Sequence, residues 1–274
     1  MKKSSDARLR LITWNINSVR LRLPQLKKLT SLHSPDVICL QETKAEECHF
    51  PGEAIADFGY PHQLVRGYKG YNGVAILSRL PLQPLEERQW CRKIDARHAT
   101  ANVLIGGGVI EVHNLYVPAG GDIPDPKANE KFAHKLNFLD EMIEWSRAQA
   151  RKKTPTIVVG DLNVAPLPAD VWSHQQLLKV VSHTPEEASR FEKMMRARPW
   201  VDAVRRFVPE SEKLYTWWSY RAQDWQASDR GRRLDHVLVN EPLAPKLHSV
   251  QIMRETRSWP QPSDHVPVCV TLTL

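Results

Sequence analysis

Eight short apolar runs, rich in β-branched residues and each stopping on polar ones, set the tightest limit on how this chain folds. They are Leu9–Trp14, Asp36–Leu40, Gly73–Leu77, Thr100–Ile105, Val109–Tyr116, Thr156–Val159, Arg233–Val239 and Val266–Leu274. Each has the length and composition of a strand. Helical spacing lies between some of them. Leu21–Leu32 sets Leu23, Leu26 and Leu29 along one face, and Ala128–Ala150 does the same with Phe132, Leu136, Leu139 and Ile143. A further helix is expected over Glu186–Arg198. Arg66–Arg79, followed by Pro81, has the pattern of hairpin strands rather than of a βαβ crossover. Gly106-Gly107-Gly108 sits between two strand runs with neither a helix nor a lysine behind it, so it is a hairpin turn and not a phosphate cradle. Hairpins alternating with long helices predict an α+β sandwich, two mixed sheets face to face with helices outside.

A chain of 274 residues is within the reach of one large sandwich, and no stretch has the composition of a linker. A single domain over 1–274 is expected, with 1–8 as a flexible N-terminal tail. Those first residues carry charges with no apolar segment behind them, unlike a secretory signal, and no run of about 18 apolar residues offers a membrane span. Cys39, Cys48, Cys91 and Cys269 form no C-x-x-C pair. That argues against structural zinc and against a disulfide framework, and for a reducing, cytoplasmic setting. Lys and Arg number 38 against 31 Asp and Glu, a net charge of +7. A polyanionic partner suits this balance, because each neutralised phosphate releases condensed counterions.

The residues that stop the runs are chemically alike. Asn15 and Asn17 follow the first run and Glu42 the second; Tyr116 ends the Val109 run; Asp161 and Asn163 follow Ile157–Val159; Asp235 lies within Arg233–Val239; Asp264 and His265 precede the last strand. Taken singly, each is an ordinary turn, Asx motif or cap. A two-sheet sandwich, however, brings strand ends to a common rim. Carboxylate and amide oxygens gathered there suit Mg²⁺ or Mn²⁺, whereas zinc would ask for more His and Cys. Such an ion, a base for water, and His⁺, Asn and Tyr donors together make up the requirements of phosphoester hydrolysis.

W-N-I-N, L-Q-E-T-K, N-L-Y-V-P, G-D-L-N, R-L-D-H and S-D-H-x-P-V, in this order, make the chain similar to the exonuclease III family of the endonuclease/exonuclease/phosphatase superfamily, from about Leu9 to the C-terminus. The resemblance implies a four-layered α/β sandwich of DNase I-like form with its active site at one rim. It implies that Glu42 is a metal ligand with Asn15 and Asn17 in the same shell, and that Asp264 is a further metal-side carboxylate. Asp161 resembles the residue that orients or deprotonates the attacking water, Asn163 its partner, and Tyr116 a phosphate-contacting tyrosine. Asp235 and His265 resemble a pair that holds an imidazolium against the scissile phosphate. Asp161, Asn163 and His265 also belong among the metal-side groups on this resemblance, and one metal or two is left open.

Tyr215-Thr216-Trp217-Trp218-Ser219-Tyr220-Arg221, then Trp225 and Arg230-Gly231-Arg232-Arg233, interleave aromatics with arginine. Such a segment can stack on bases, wedge into a duplex or wall a pocket for an extruded sugar, while about half of its aromatics are expected in the core. By resemblance, Trp217 and Leu234 line a pocket for an abasic deoxyribose, with Trp218 and Arg232 also facing substrate. Arg232 departs from the family, whose better-known members carry an apolar or aromatic residue there. Gly120-Gly121-Asp122 is expected as a flexible loop facing the substrate. The activity implied is a Mg²⁺- or Mn²⁺-dependent repair nuclease, a monomer acting on double-stranded DNA at abasic sites and blocked 3′ ends, with no membrane partner. Two other readings remain: a phosphatase or phosphodiesterase of the same superfamily acting on another phosphoester, and a nucleic-acid-binding module without catalysis.

Overall fold

The alternation of side chains along the first strand explains most of the architecture. In β1 (Arg8–Asn15) Leu9 and Leu11 point into one buried cluster, while Ile12 and Trp14 point into another. The same division recurs in β2 (Val37–Gln41), where Val37 and Cys39 take the first side and Ile38 and Leu40 the second. Strands covered on both faces need apolar residues at every position, so these runs are continuous rather than alternating.

The computed structural model describes residues 7–222 and 224–274; residues 1–6, most of the expected tail, lie outside it, and Arg8 already belongs to β1. The chain continues through β3 (His62–Tyr68), β4 (Tyr71–Ser78), β5 (Leu82–Pro84), β6 (His98–Ile105), β7 (Gly108–Tyr116) and β8 (Thr156–Asp161). It ends with β9 (Val201–Asp202), β10 (Trp217–Trp218), β11 (Gly231–Arg232), β12 (Asp235–Val239), β13 (Leu247–Ile252) and β14 (Val268–Thr273). The helices are α1 (Leu23–His33), α2 (Gly52–Asp57), α3 (Glu130–Gln149), α4 (His174–Leu177), α5 (Pro185–Ala197) and α6 (Trp225–Ser228).

One six-stranded sheet runs β13-β14-β1-β2-β4-β3 and the other β5-β6-β7-β8-β12-β9. Their facing sides share a core that includes Leu9, Val37, Ile76, Ala101, Val112, Ile157 and Val237. Outside the first sheet, Leu26 and Leu29 of α1 pack on Ile38, Leu40 and Ala75. Outside the second, Phe138 and Met142 of α3 and Phe191 of α5 pack on Val158 and Leu238. The result is the expected four-layered α/β sandwich. Asn129 caps α3 through a bond from the Lys131 amide, and Thr184 with Glu187 forms a capping box on α5.

Each sheet contains one parallel pair, β1 with β2 and β7 with β8, and each pair is crossed by a helix, α1 or α3. Parallel strands finish at the same edge of a sheet. Asn15 therefore lies level with Gln41, and Tyr116 level with Asp161. The antiparallel β12 starts where β8 finishes, with Asp235 opposite Asp161. β14 begins only at Val268, later than expected, which leaves Asp264 and His265 in the preceding turn at that same edge. Gly106-Gly107-Gly108 does link β6 to β7 as a hairpin turn. The edge strand β13 was not anticipated, because its residues are half exposed or exposed and present no apolar run.

Candidate active site

Just beneath the rim a polar bridge joins the two sheets. Asn114 of β7 donates to the carbonyls of Leu40 and Ala75 in the opposite sheet, and Gln41 of β2 donates to Asn114 Oδ1 at 2.7 Å and to Thr13 Oγ1. A buried amide pair bonded from one sheet to the other fixes how the sheets face each other more specifically than apolar contact does. Gly160 serves the same end on β8. A Cβ there would stand 1.8 Å from the Leu115 carbonyl oxygen, and φ is +139°, so only glycine lets β8 and β7 approach ahead of Asp161.

Above this bridge, Asn15 holds two carboxylates with one amide nitrogen: Nδ2 donates to Glu42 Oε1 at 3.0 Å and to Asp161 Oδ2 at 2.9 Å. Tyr116 donates its hydroxyl to the same Glu42 Oε1 at 2.8 Å, and Lys44 Nζ lies 2.9 Å from Oε2. Asn17 accepts from Lys44 and donates to Asp264 Oδ1, while Asp264 Oδ2 accepts the Trp217 indole N–H. Glu42, Asn17 and Asn163 all have positive φ (+50°, +46° and +52°), a conformation that non-glycine residues adopt where surrounding contacts hold them there. Burial raises the Glu42 carboxyl, but the Asn15 amide and Lys44 outweigh it, and the group is held below the ordinary carboxylate range.

His265 stands between two acids. Its Nδ1 donates to Asp235 Oδ2 at 2.8 Å, and Nε2 lies 3.6 Å from Asp161 Oδ2. Burial opposes its charge, yet Asp235 and Asp161 together prevail and lift the imidazole to about 10, so it is an imidazolium at neutral pH. Asp161 moves the other way from an ordinary carboxylate. Burial first, with Asp235 and Glu42 adding to it, raises it to about 7 against the pull of His265 and Asn15. A carboxyl poised near neutrality is suited to take up a proton from water. Burial, reinforced by Glu42 and Asp161, pushes Tyr116 well above its usual value and keeps it a donor.

Asn15, Asn17, Glu42, Tyr116, Asp161, Asn163, Asp235, Asp264 and His265 thus converge on one place, around and beneath a cavity of about 940 Å³. Trp172, Val181, Trp217, Arg232 and Leu234 form its other wall, and Gly121 and Asp122 border it as well.

One expectation needs correction. Trp218 is 1% exposed, gives its indole N–H to Asp229 Oδ1, and packs against Tyr215 and Trp225, so it is core and not a substrate contact. Successive residues on a strand point to opposite sides, so only one of Trp217 and Trp218 can face the cavity. His265 lies within 4.8 Å of both Asp161 and Asp235, close enough for the three to share an ion. The side-chain oxygens of Asn15 and Asn17 accept from the Asn17 amide and from Lys44, and their amide nitrogens order the carboxylates of Glu42, Asp161 and Asp264.

Sequence reasoning passed over Lys44, Trp172, Lys135 and Glu187. Lys44 lay inside the quoted L-Q-E-T-K motif. Lys135 had a signal too, as a charge set within the apolar stripe of α3 beside Leu136. It is fully buried, pairs with the equally buried Glu187, and donates to the carbonyls of Asn163 and Ala119.

Two packed sheets whose strand ends pool carboxylates around a guarded imidazolium define a phosphoester hydrolase on a DNase I-like fold. The chain belongs to the endonuclease/exonuclease/phosphatase family, which matches residues 12–265, and within that family its type is exodeoxyribonuclease III/AP endonuclease. The exodeoxyribonuclease III of Haemophilus influenzae is 30% identical over 269 residues, covering 95% of this chain and 98% of that one. An exodeoxyribonuclease of Bacillus subtilis is 28% identical over 265 residues, 95% of this chain and 98% of its own. Among solved structures, an AP endonuclease from Archaeoglobus fulgidus superposes with a TM-score of 0.89 at 31% identity, covering 97% of this chain and 100% of that one. A 3′ phosphatase from Neisseria bound to product DNA hairpin gives 0.87 at 29%, with the same coverages.

Proposed function

We propose that this protein is a Mg²⁺- or Mn²⁺-dependent nuclease that incises DNA at abasic sites and removes nucleotides or blocking groups from 3′ ends. The observation that carries the reading is the Asp235–His265–Asp161 row. It presents an imidazolium and a near-neutral carboxyl, side by side, to a cavity of about 940 Å³. The relatives named above, and a Neisseria structure described with a DNA product, support DNA as the substrate.

The donor set fits a hard divalent ion. The oxygens at the rim belong to carboxylates and amides, and among the described residues no cysteine lines the cavity, a set that suits Mg²⁺ or Mn²⁺ better than zinc. Glu42 and Asp264 would hold the ion, which when bound neutralises charge on the phosphoryl oxygens and the leaving group. His265 directs its Nε2 proton at a non-bridging phosphate oxygen. Asp161 orients a water and takes its proton. Tyr116 donates to the phosphate, and Asn163, anchored by its side chain to the Val117 carbonyl and by its amide to Asp161, keeps Asp161 in place. Trp217 and Leu234 exclude water around the sugar. The same reading has the protein working as a monomer in a reducing compartment, where its four cysteines stay free thiols.

The test is a 5′-labelled duplex carrying one abasic analogue, incubated with enzyme in EDTA and in Mg²⁺ or Mn²⁺. Incision at the lesion and 3′→5′ shortening are expected only with metal, and Glu42→Gln should weaken metal dependence and rate together. Full activity in chelator would overturn the metal role. Turnover of soluble phosphomonoesters without cleavage of the duplex would favour the phosphatase reading instead.

A further inference from the structure

A salt bridge shut off from water lies beneath the floor of the cavity. Lys135 of α3 and Glu187 of α5 are both fully buried, and each is the other's partner. Lys135 also donates to two carbonyls, that of Asn163 at 2.6 Å and that of Ala119 at 3.2 Å. These belong to the loops that leave β8 and β7 just after Asp161 and Tyr116. Glu187 holds a third loop: its carboxylate accepts the Ser182 amide at 2.9 and 3.0 Å and the Thr184 hydroxyl at 2.7 Å. Ser182 Oγ in turn accepts from Arg232 Nη1 at 2.9 Å, and the Arg232 guanidinium lies over the Trp217 indole, 5.3 Å from the ring centroid. One ion pair thus joins the floor of the cavity to its opposite wall. The fit is close, for a Cβ on Gly120, where φ is +90°, would stand 2.8 Å from Lys135 Cδ.

Stability does not account for this pair. The desolvation of two buried charges largely offsets their attraction, and well-packed apolar side chains in their place are often as stable or more so. Phe132 and Leu136, beside Lys135 on α3, already pack with Val181 in an apolar cluster that a further apolar residue would extend. What such a residue lacks is a donor for the Asn163 carbonyl. Asn163 has a φ of +52°, a conformation that persists where several contacts impose it. Three do so: its amide bonds Asp161 Oδ1, its side chain bonds the Val117 carbonyl, and its own carbonyl accepts from Lys135. The first of these fixes the carboxyl that takes the proton of water. Building on the nuclease reading above, we propose that Lys135 and Glu187 are positioning residues that set Asn163, and through it Asp161, against the substrate wall at Ser182 and Arg232. Neither touches substrate. Their effect falls on the geometry of the reacting groups rather than on DNA binding, and a misplacement of about 1 Å there costs on the order of 10²-fold in rate.

The experiment measures kcat and KM on a duplex with one internal tetrahydrofuran abasic analogue, in saturating Mg²⁺, for the wild type, Lys135→Met and Lys135→Met combined with Glu187→Gln. Urea unfolding is followed for the same three proteins. The double change strands no charge and keeps an oxygen for the Ser182 amide, so its unfolding midpoint should return most of the way to the wild type. Its kcat should not return. Both variants are expected to lose roughly 10- to 100-fold in kcat, with KM within about threefold of the wild type, as for misaligned reacting groups. Activity is counted per folded molecule, from the near-ultraviolet circular dichroism of each sample, so a protein that is only less stable does not register as less active. Where the single change leaves the chain unfolded, the double variant decides alone. A kcat that recovers along with stability makes the pair merely structural and overturns the proposal. So does a kcat unchanged in both variants, or a loss confined to KM. Failure of the wild type to cleave the duplex would sink the nuclease reading itself, which is a separate result.

Discussion

Replacing Asp235 with Asn removes a charge 2.8 Å from His265 Nδ1 while keeping the size and one hydrogen-bonding oxygen of the side chain. The imidazole stands at about 10, against an ordinary value of 6.5. That gap corresponds to roughly 5 kcal/mol of preference for the charged form. Burial works against this preference, so it rests on the neighbouring acids, Asp235 first and Asp161 second. If Asp235 supplies about half, its loss moves the imidazole down by about two pH units, to near 8. The sign follows directly. The proton on His265 is needed for activity, so activity falls as pH rises through the imidazole's value, and the alkaline limb shifts to lower pH in the variant. The rate on the plateau should fall as well, by about 10²–10³, the usual loss when a donor to the developing charge is misplaced. The assay is kcat/KM against pH from 6 to 11 on a tetrahydrofuran abasic duplex, which survives alkali, with saturating Mg²⁺. Asp235→Ala combined with His265→Ala should be little worse than the worse single change, because the pair acts as one unit. An Asn variant that keeps its limb near 10, or independent multiplicative losses in the double variant, would refute the reasoning.

Other outcomes follow from the same geometry. Asp161 must be ionised to accept a proton, so activity should rise with pH through about 7 when metal is limiting, and Asp161→Asn should lose both that limb and most of the rate; a limb unchanged in the Asn variant would remove Asp161 as the base. Lys135→Met strands a buried Glu187 carboxylate and should cost about 3–5 kcal/mol in urea unfolding, whereas an exposed pair such as Arg147–Glu144 should cost under about 1 kcal/mol. Affinity for undamaged duplex should fall steeply with salt, with a log–log slope of about −0.9 per phosphate contacted, and a flat response would separate the +7 charge from the substrate.

The strands nearest the site were legible because burial on both faces writes them as unbroken apolar runs. Their polar stops were legible for a related reason: a carboxylate or amide at the end of such a strand is conspicuous. What the sequence withheld was partnership across long chain distances. Nothing in α3 announces that Lys135 meets Glu187, or that Arg232 is pinned by Ser182 instead of reaching for DNA, since these contacts depend on the course of loops without periodicity. Trp217 and Trp218 look alike in the chain, and only the pairing of β10 with β11 decides which one is sealed inside. β13 escaped notice because an edge strand that faces solvent need not be apolar.

β14 lies against β1, so the last strand of the sandwich docks onto the first. The joint is reinforced at the active edge, where Trp14 donates to the His265 carbonyl across 251 positions and Ser263 Oγ to the Asn15 carbonyl across 248. The turn that carries Asp264 and His265 is thereby tied to the strand end that carries Asn15, so the two ends of the sequence meet at one edge of the sandwich and a disturbance of either is felt at the same place.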